Sequence, residues 1–184
     1  MLLTRGISDE ELMKVSRENP LLRFERNSDG SLVTVAPAGG ISSNREASAI
    51  SRLYVYVEDQ DLGKVFSSAC GFKLPNGAVR SPDASFVEKG RLKPDWDQGE
   101  DEYPDLAPDF VIEIRSKSDS LSGLKEKMQE YIEQGVRLGW LIDRKNRCAY
   151  VYRSDASITQ FPETAILSGE EVVPGFTMQL SRLI

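Results

Sequence analysis

With 184 residues, 40% of them apolar and 28% charged, the chain has the length and composition of an ordinary globular protein, and no stretch approaches the roughly 20 apolar residues that cross a bilayer. It contains no histidine, which excludes Ser-His-Asp and Cys-His catalysis and any histidine-based metal site. Acid–base or metal chemistry must therefore run on carboxylates and lysines, and a net charge of −6 argues against a general nucleic-acid coat, which needs a basic excess.

The average charge hides a polarity. Residues 88–109 carry eight acidic against three basic side chains and residues 110–153 nine basic against six acidic, so an acidic loop beside a locally basic surface is expected. Residues 1–12 lack the apolar core and small-residue cleavage site of a signal peptide. Cys70 and Cys148 form neither a disulfide framework nor a zinc motif. The expected compartment is cytoplasmic, with no membrane contact.

In chain order, Ser8 and Glu11 have the spacing of a capping box, and Leu12 and Val15 supply the apolar face of a short helix ended by Pro20. Residues 21–26 and 32–35 flank Asn27-Ser-Asp-Gly30, turn chemistry that suits a hairpin. Pro37-Ala-Gly-Gly40 is a loop, and Ser43 with Glu46 forms a second capping-box pattern. The helix it opens carries Ala47, Ile50, Leu53, Tyr54 and Val57 at helical spacing, with Gly63 beyond its end. Glu46 has two readings here, a backbone cap or a metal ligand projecting from the first turn.

Residues 65–69 and 72–74 read as short strands, and Asp83 stands at the head of another. The acidic stretch 89–107, with Trp96 and Tyr103, is a long loop and reads first as a solvated connection, although loops of that length are uncommon unless they are mobile or functional. Residues 108–118, PDFVIEIRSKS, are the centre of the pattern. As a strand they place Phe110, Ile112 and Ile114 on one face and Asp109, Val111, Glu113 and Arg115 on the other. A glutamate in mid-strand among β-branched residues is costly to desolvate unless it is paired or holds a cation; the plain alternative is a solvated ion pair of Glu113 with Arg115. Ser118-Asp-Ser120 then caps a helix over 121–134 ended by Gly135, with Leu124, Met128, Tyr131 and Ile132 as its buried stripe. Residues 138–142 form an apolar run ending in Asp143, as in a strand buried on both faces. Residues 149–152 pair back, and the remainder is short strands and turns.

The expected fold is α/β (α+β): a mixed central sheet flanked by helices, core order α-β-β-β-α-β, in a single domain over 1–184. Its parts are an N-terminal helix and hairpin (1–36), the core (37–153) and C-terminal strands (154–184). Carboxylates sit on the second and third strands of that core. Asp109 and Glu113 share a strand face but lie about 13 Å apart at 3.3 Å per residue, whereas Asp83 on an adjacent strand lies about 5 Å away. Asp83 is the better partner for Glu113 around one hard cation, and Asp109 takes a place at the head of the strand or an outer role.

Pro82-Asp83 and Glu113-Ile114-Arg115, with Lys127 one helix later, resemble the PD-(D/E)XK nuclease pattern. There two carboxylates share a divalent cation while a cationic group steadies the attacking water and the phosphate charge. Arg115 departs from the pattern, because arginine binds phosphate but does not deprotonate; Lys127 reaches back toward Glu113 to take the lysine's place, or else is a surface lysine with a buried stem.

Pro37-Ala-Gly-Gly40, the run from Gly71 to Ser85, the run from Pro108 to Ser116, Lys127…Tyr131…Gly135-Val136 and Gly139-Trp-Leu-Ile-Asp143 together resemble the Uma-type restriction endonucleases, a family common in cyanobacteria. The resemblance spans nearly the whole chain. It implies a restriction-endonuclease-like fold and an active site of Asp83, Glu113 and Lys127. The expected activity is Mg2+- or Mn2+-dependent hydrolysis of DNA. In it Asp83 and Glu113 hold the ion, Lys127 orients the water, Arg115 meets phosphate charge, and Glu46 or Asp109 stands in an outer position. A homodimer suits cutting of both strands. Two other readings stay open: a catalytically inactive nuclease-fold module that binds DNA or protein, and a hydrolase of small phosphate compounds with residues 89–107 as its lid.

Overall fold

Ser8 opens the first helix, α1 (Asp9–Glu18), through a complete capping box: its hydroxyl accepts the Glu11 N–H at 3.2 Å and the Glu11 carboxylate accepts the Ser8 N–H at 2.8 Å. The computed structural model describes residues 6–35, 37–98 and 102–184. Residues 1–5 of the N-terminal segment read against a signal peptide, Ala36 at the expected boundary of the hairpin, and residues 99–101 in the acidic loop lie outside the described residues.

Strands β1 (Arg23–Arg26) and β2 (Leu32–Val35) form the expected antiparallel hairpin. Gly30 adopts φ 83°, a left-handed conformation that glycine takes freely, and Asp29 accepts the Ser31 N–H at 2.9 Å to lock the turn. The hairpin does not stand apart. Arg26 pairs with Val79 of β5 (Val79–Arg80), and β5 pairs with β4 (Phe72–Lys73), giving a four-stranded sheet in the order β2-β1-β5-β4.

Helix α2 (Gly40–Asp59) corrects one expectation: it begins about a turn earlier than Ser43, with Gly39 as N-cap and no side-chain cap. The Ser43 N–H already bonds Gly39 O, so the second capping box does not form and Glu46 lies within the helix. The extra turn is held from outside by Arg144, which donates to Ser42 Oγ at 3.1 Å, and the next turn by Arg45, which donates to the Ile184 carbonyl at 3.1 Å. The buried stripe is Ala49, Leu53 and Val57; Ala47 is exposed, and Tyr54, also expected in it, is 49% exposed.

The main sheet has six strands in the order β10-β9-β8-β7-β6-β3. These are β3 (Gly63–Ser67), β6 (Ala84–Glu88), β7 (Phe110–Ile114), β8 (Leu138–Asp143), β9 (Cys148–Arg153) and β10 (Ile158–Pro162). Only β7 and β8 run parallel, because α3 (Leu121–Glu133) carries the chain across between them; the other pairs are antiparallel. The sheet is therefore mixed, and its core reads α2-β3-β6-β7-α3-β8, the expected order. Strands β7 and β8 are buried along their whole length.

One face packs on α2 and on the C-terminal segment containing β11 (Ile166–Ser168), β12 (Thr177–Gln179) and a closing 3-10 turn (Leu180–Arg182). There Trp140 stacks on Phe176 at 5.9 Å and meets Phe110 edge-on at 4.8 Å. The other face packs on α3 and on the small sheet, through Met128, Tyr131, Val111, Leu141 and Phe72. Among the described residues no helix is long and apolar enough to cross a membrane.

Gly139 of β8 lies under α3, where a Cβ would overlap Met128 Cε and crowd Val111 Cγ2. The overlapped atom is the end of a flexible side chain that can swing aside, so Gly139→Ala is expected to lower stability by less than about 1 kcal/mol, measured as a small fall in the urea midpoint at unchanged m-value. A fall of more than about 2 kcal/mol would mean that Met128 has no room to move and α3 must shift.

Candidate active site

The register of the two central strands places the first pair of charges. Ala84 of β6 pairs with Ile112 of β7, so Asp83, one residue before β6, falls beside Glu113. Asp83 Oδ2 accepts the Ile114 N–H at 2.7 Å, a bond from the neighbouring strand that fixes the carboxylate against the end of β7.

Helix α3 supplies the second pair. Lys127 and Tyr131 are four residues apart and so share a face. Lys127 Nζ lies 2.9 Å from Glu113 Oε1, and the Tyr131 hydroxyl donates to the same oxygen at 2.9 Å. The Lys127 side chain is 19% exposed, so it is drawn inward rather than extended along the surface. Its ammonium also meets Glu25 Oε1 of β1 at 2.9 Å. Glu25 accepts the Ser81 N–H at 3.0 Å and bonds Arg80 at 3.4 Å. Arg80 in turn bonds Glu130 of α3 at 2.6 Å.

These groups stand at the wall of a cleft of about 740 Å3, lined by β1 and β2, the start of α2, the head of β6, the end of β7 and the loop leading into α3. Glu46 reaches the same cleft from α2 and accepts a hydrogen bond from Ser68 Oγ.

The charge balance around the two central carboxylates is negative. Burial, then repulsion from Glu113, pushes the Asp83 carboxyl up to about 8, with Glu46 adding to the effect. Burial also raises Glu113, against the pull of Lys127. Burial would lower Lys127, but Glu113 and Glu25 overcome it and hold the lysine as an ammonium. Burial and the nearby Glu113 keep Tyr131 a phenol. Glu25 resists burial through Lys127, the Ser81 N–H and Arg80, and stays an ionised carboxylate.

This donor set fits a hard divalent cation. Each central carboxylate has one oxygen committed, Glu113 Oε1 and Asp83 Oδ2, while Glu113 Oε2 and Asp83 Oδ1 accept no hydrogen bond among the described residues. Among those residues no three His, Cys, Asp or Glu side chains close into a metal cage. Two carboxylates beside an open cleft match an ion such as Mg2+, which keeps several waters.

Of the residues singled out in the sequence, Asp83, Glu113, Lys127 and Glu46 are brought to one cleft. Arg115 is not. Beyond the end of β7 its guanidinium turns along the sheet to Asp143 Oδ1 at 3.0 Å and to the Asp119 carbonyl at 3.2 Å, where a buried carboxylate pairs its charge. Asp109 lies at the far end of β7. It accepts the Glu88 N–H at 2.8 Å and pairs with Arg91 at 2.6 Å and Arg137 at 3.3 Å, bracing the start of the acidic loop. Glu25 was missed by pattern reading. The four-residue strand RFER shows no apolar alternation, and the groups that surround the carboxylate, Arg80, Ser81 and Lys127, lie far along the chain.

The whole fold is shared with a putative nuclease belonging to DUF820 from Anabaena variabilis ATCC 29413, at a TM-score of 0.80 and 20% identity over 97% of both chains. No curated protein matches the sequence. Residues 9–181 match the model of the Uma2 family, described as putative restriction endonucleases, and with this match spanning nearly all of its length the chain belongs to that family.

Proposed function

We propose that this protein is a Mg2+- or Mn2+-dependent endodeoxyribonuclease of the PD-(D/E)XK type, with Asp83 and Glu113 as metal ligands and Lys127 in the place of the motif lysine. The observation that carries this reading is the pairing of two open carboxylate oxygens, on Asp83 and Glu113, with an ammonium held 2.9 Å from Glu113. A bound divalent ion would supply Lewis acidity at the phosphate and a more acidic water.

The protein's own residues divide the remaining work. The Ile114 N–H and Tyr131 hydroxyl each hold one carboxylate oxygen, so Asp83 and Glu113 keep their orientation without reorganising during the reaction. Lys127 remains protonated, which suits it to orient water and to meet phosphate charge rather than to act as a base. Glu46, facing Asp83 across the cleft, is placed for an outer ligand through water. Arg115 serves the end of β7 and the loop before α3 rather than phosphate. Hydrolysis adds the water oxygen to phosphorus and breaks the bond to one sugar oxygen, the water giving up a proton to solvent and the leaving oxygen taking one from solvent; two copies of such a site in a homodimer would serve the two strands of a duplex.

Incubation of the protein with supercoiled plasmid in Mg2+, in Mn2+ and in chelator tests the reading. Nicked or linear product that requires the metal and disappears in Glu113→Gln is the expected result. Equal cleavage by Glu113→Gln would overturn the assignment, and salt-sensitive DNA binding without cleavage would favour the inactive module.

A further inference from the structure

The hairpin brings to the cleft a charge that lies outside the two motif strands. Glu25 is 5% exposed, and its bonds leave neither oxygen uncommitted: Oε1 takes Lys127 Nζ at 2.9 Å and the Ser81 N–H at 3.0 Å, and Oε2 takes Arg80 at 3.4 Å. It is therefore not offered as a metal ligand. Its backbone is fixed by the full β1–β2 register and by the Arg26–Val79 pair.

Lys127 reaches the site on a flexible four-carbon stem with three N–H donors. One contact to Glu113 alone would leave the ammonium free to swing about that oxygen. The second contact, from a different sheet, pins it between two carboxylates, and the third N–H is left for water or phosphate. Arg80 and Glu130 complete the brace, tying Glu25 back to the helix that carries Lys127.

We propose that Glu25 is a positioning residue for hydrolysis: acting through Lys127, it holds the ammonium at one point beside Glu113. The proposal rests on the nuclease reading of the site for its kinetic consequence, but its physical content is the hold of Glu25 on Lys127.

Two readouts on one set of proteins test it. The set is wild type, Glu25→Ala, Glu25→Gln, Lys127→Ala and the double variant Glu25→Ala with Lys127→Ala, each checked for folding by circular dichroism. In steady-state cleavage of a duplex oligonucleotide with Mg2+, Glu25→Ala is expected to lose about 100-fold in kcat, with KM changed by less than about threefold, because a misplacement near 1 Å costs that much. Glu25→Gln, which keeps an acceptor for Lys127 and Ser81, is expected to recover most of the loss. The double variant is expected to be no slower than Lys127→Ala, since residues acting as a unit are not additive. Full activity of Glu25→Ala, or losses that multiply in the double variant, would overturn the proposal.

The second readout needs no substrate. In 1H–15N spectra of the lysine ammonium groups, wild type is expected to show a slowly exchanging signal that Lys127→Ala removes and Glu25→Ala broadens away. An unchanged signal in Glu25→Ala would overturn the proposal. If wild type cleaves nothing, the nuclease reading fails, and this spectrum still decides whether Glu25 holds Lys127.

Discussion

Asp83→Asn is expected to make the protein more stable and unable to bind a divalent cation. The wild-type carboxyl is pushed up to about 8 by burial and by Glu113, from an ordinary value of 3.8. A group raised in the folded state contributes stability below its unfolded pKa and loses it as pH rises to the folded one. Between pH 4 and pH 8 the unfolded chain ionises Asp83 freely while the folded chain resists, so wild-type stability falls across that window. Asparagine removes this pH-dependent loss and still accepts the Ile114 N–H. The full shift is a ceiling of about 6 kcal/mol at roughly 1.4 kcal/mol per pKa unit. Water in the cleft reduces it, and we expect on the order of 2 kcal/mol, or about 6 °C in Tm for a chain of this size. Melting curves of the two proteins should coincide near pH 4 and separate progressively to pH 8. A variant less stable than wild type at pH 8 would show that the carboxylate is satisfied without a cation.

Lys127→Ala is expected to act in the opposite sense on stability and to slow cleavage severely. Its ammonium lies 2.9 Å from both Glu113 and Glu25, and removing it leaves two buried carboxylates without that partner. Breaking a buried pair from one side costs about 3–5 kcal/mol, which corresponds to a fall of about 10 °C in Tm. Without the ammonium Glu113 rises further and Glu25 loses the strongest pull that holds it down, so both move toward their protonated forms, and the deficit should be smallest near pH 5 and grow toward pH 8. Loss of the cation facing the phosphate should lower the cleavage rate by about 1,000-fold. Parallel melting and plasmid-cleavage series at pH 5, 6.5 and 8 check both statements. A Tm at pH 8 within about 2 °C of wild type would place the lysine on the surface rather than between two buried acids.

Much of the architecture is legible because it rests on local or short-range rules. Ser8 and Glu11 cap a helix through bonds three residues apart, and the apolar runs of β7 and β8 are long enough to show burial on both faces. The placing of Asp83 beside Glu113 follows from strand geometry once the two strands are taken as neighbours. Lys127 is legible as far as its helix face.

The remainder depends on contacts between distant segments. Ser43 and Glu46 have a sound capping pattern, yet the helix runs a turn past it, where Arg144 meets Ser42. Arg115 sits at the motif's cationic position by count, but Asp143 on the next strand claims it. Glu25 is buried where β1 meets Arg80, Ser81 and Lys127, more than fifty residues later, contacts that no local pattern in RFER announces. In each case a charged side chain is decided by which partner lies nearest in space, which spacing along the chain does not specify.

The most direct test is calorimetric titration of Mn2+ into the protein bound to a phosphorothioate DNA duplex, which supplies phosphate oxygens to complete the coordination. Wild type should bind the ion more tightly as pH rises toward 8 and Asp83 gives up its proton, and the double variant Asp83→Asn with Glu113→Gln should show no such binding. Equal Mn2+ binding by that double variant, or none by wild type, would contradict a metal centre built on Asp83 and Glu113.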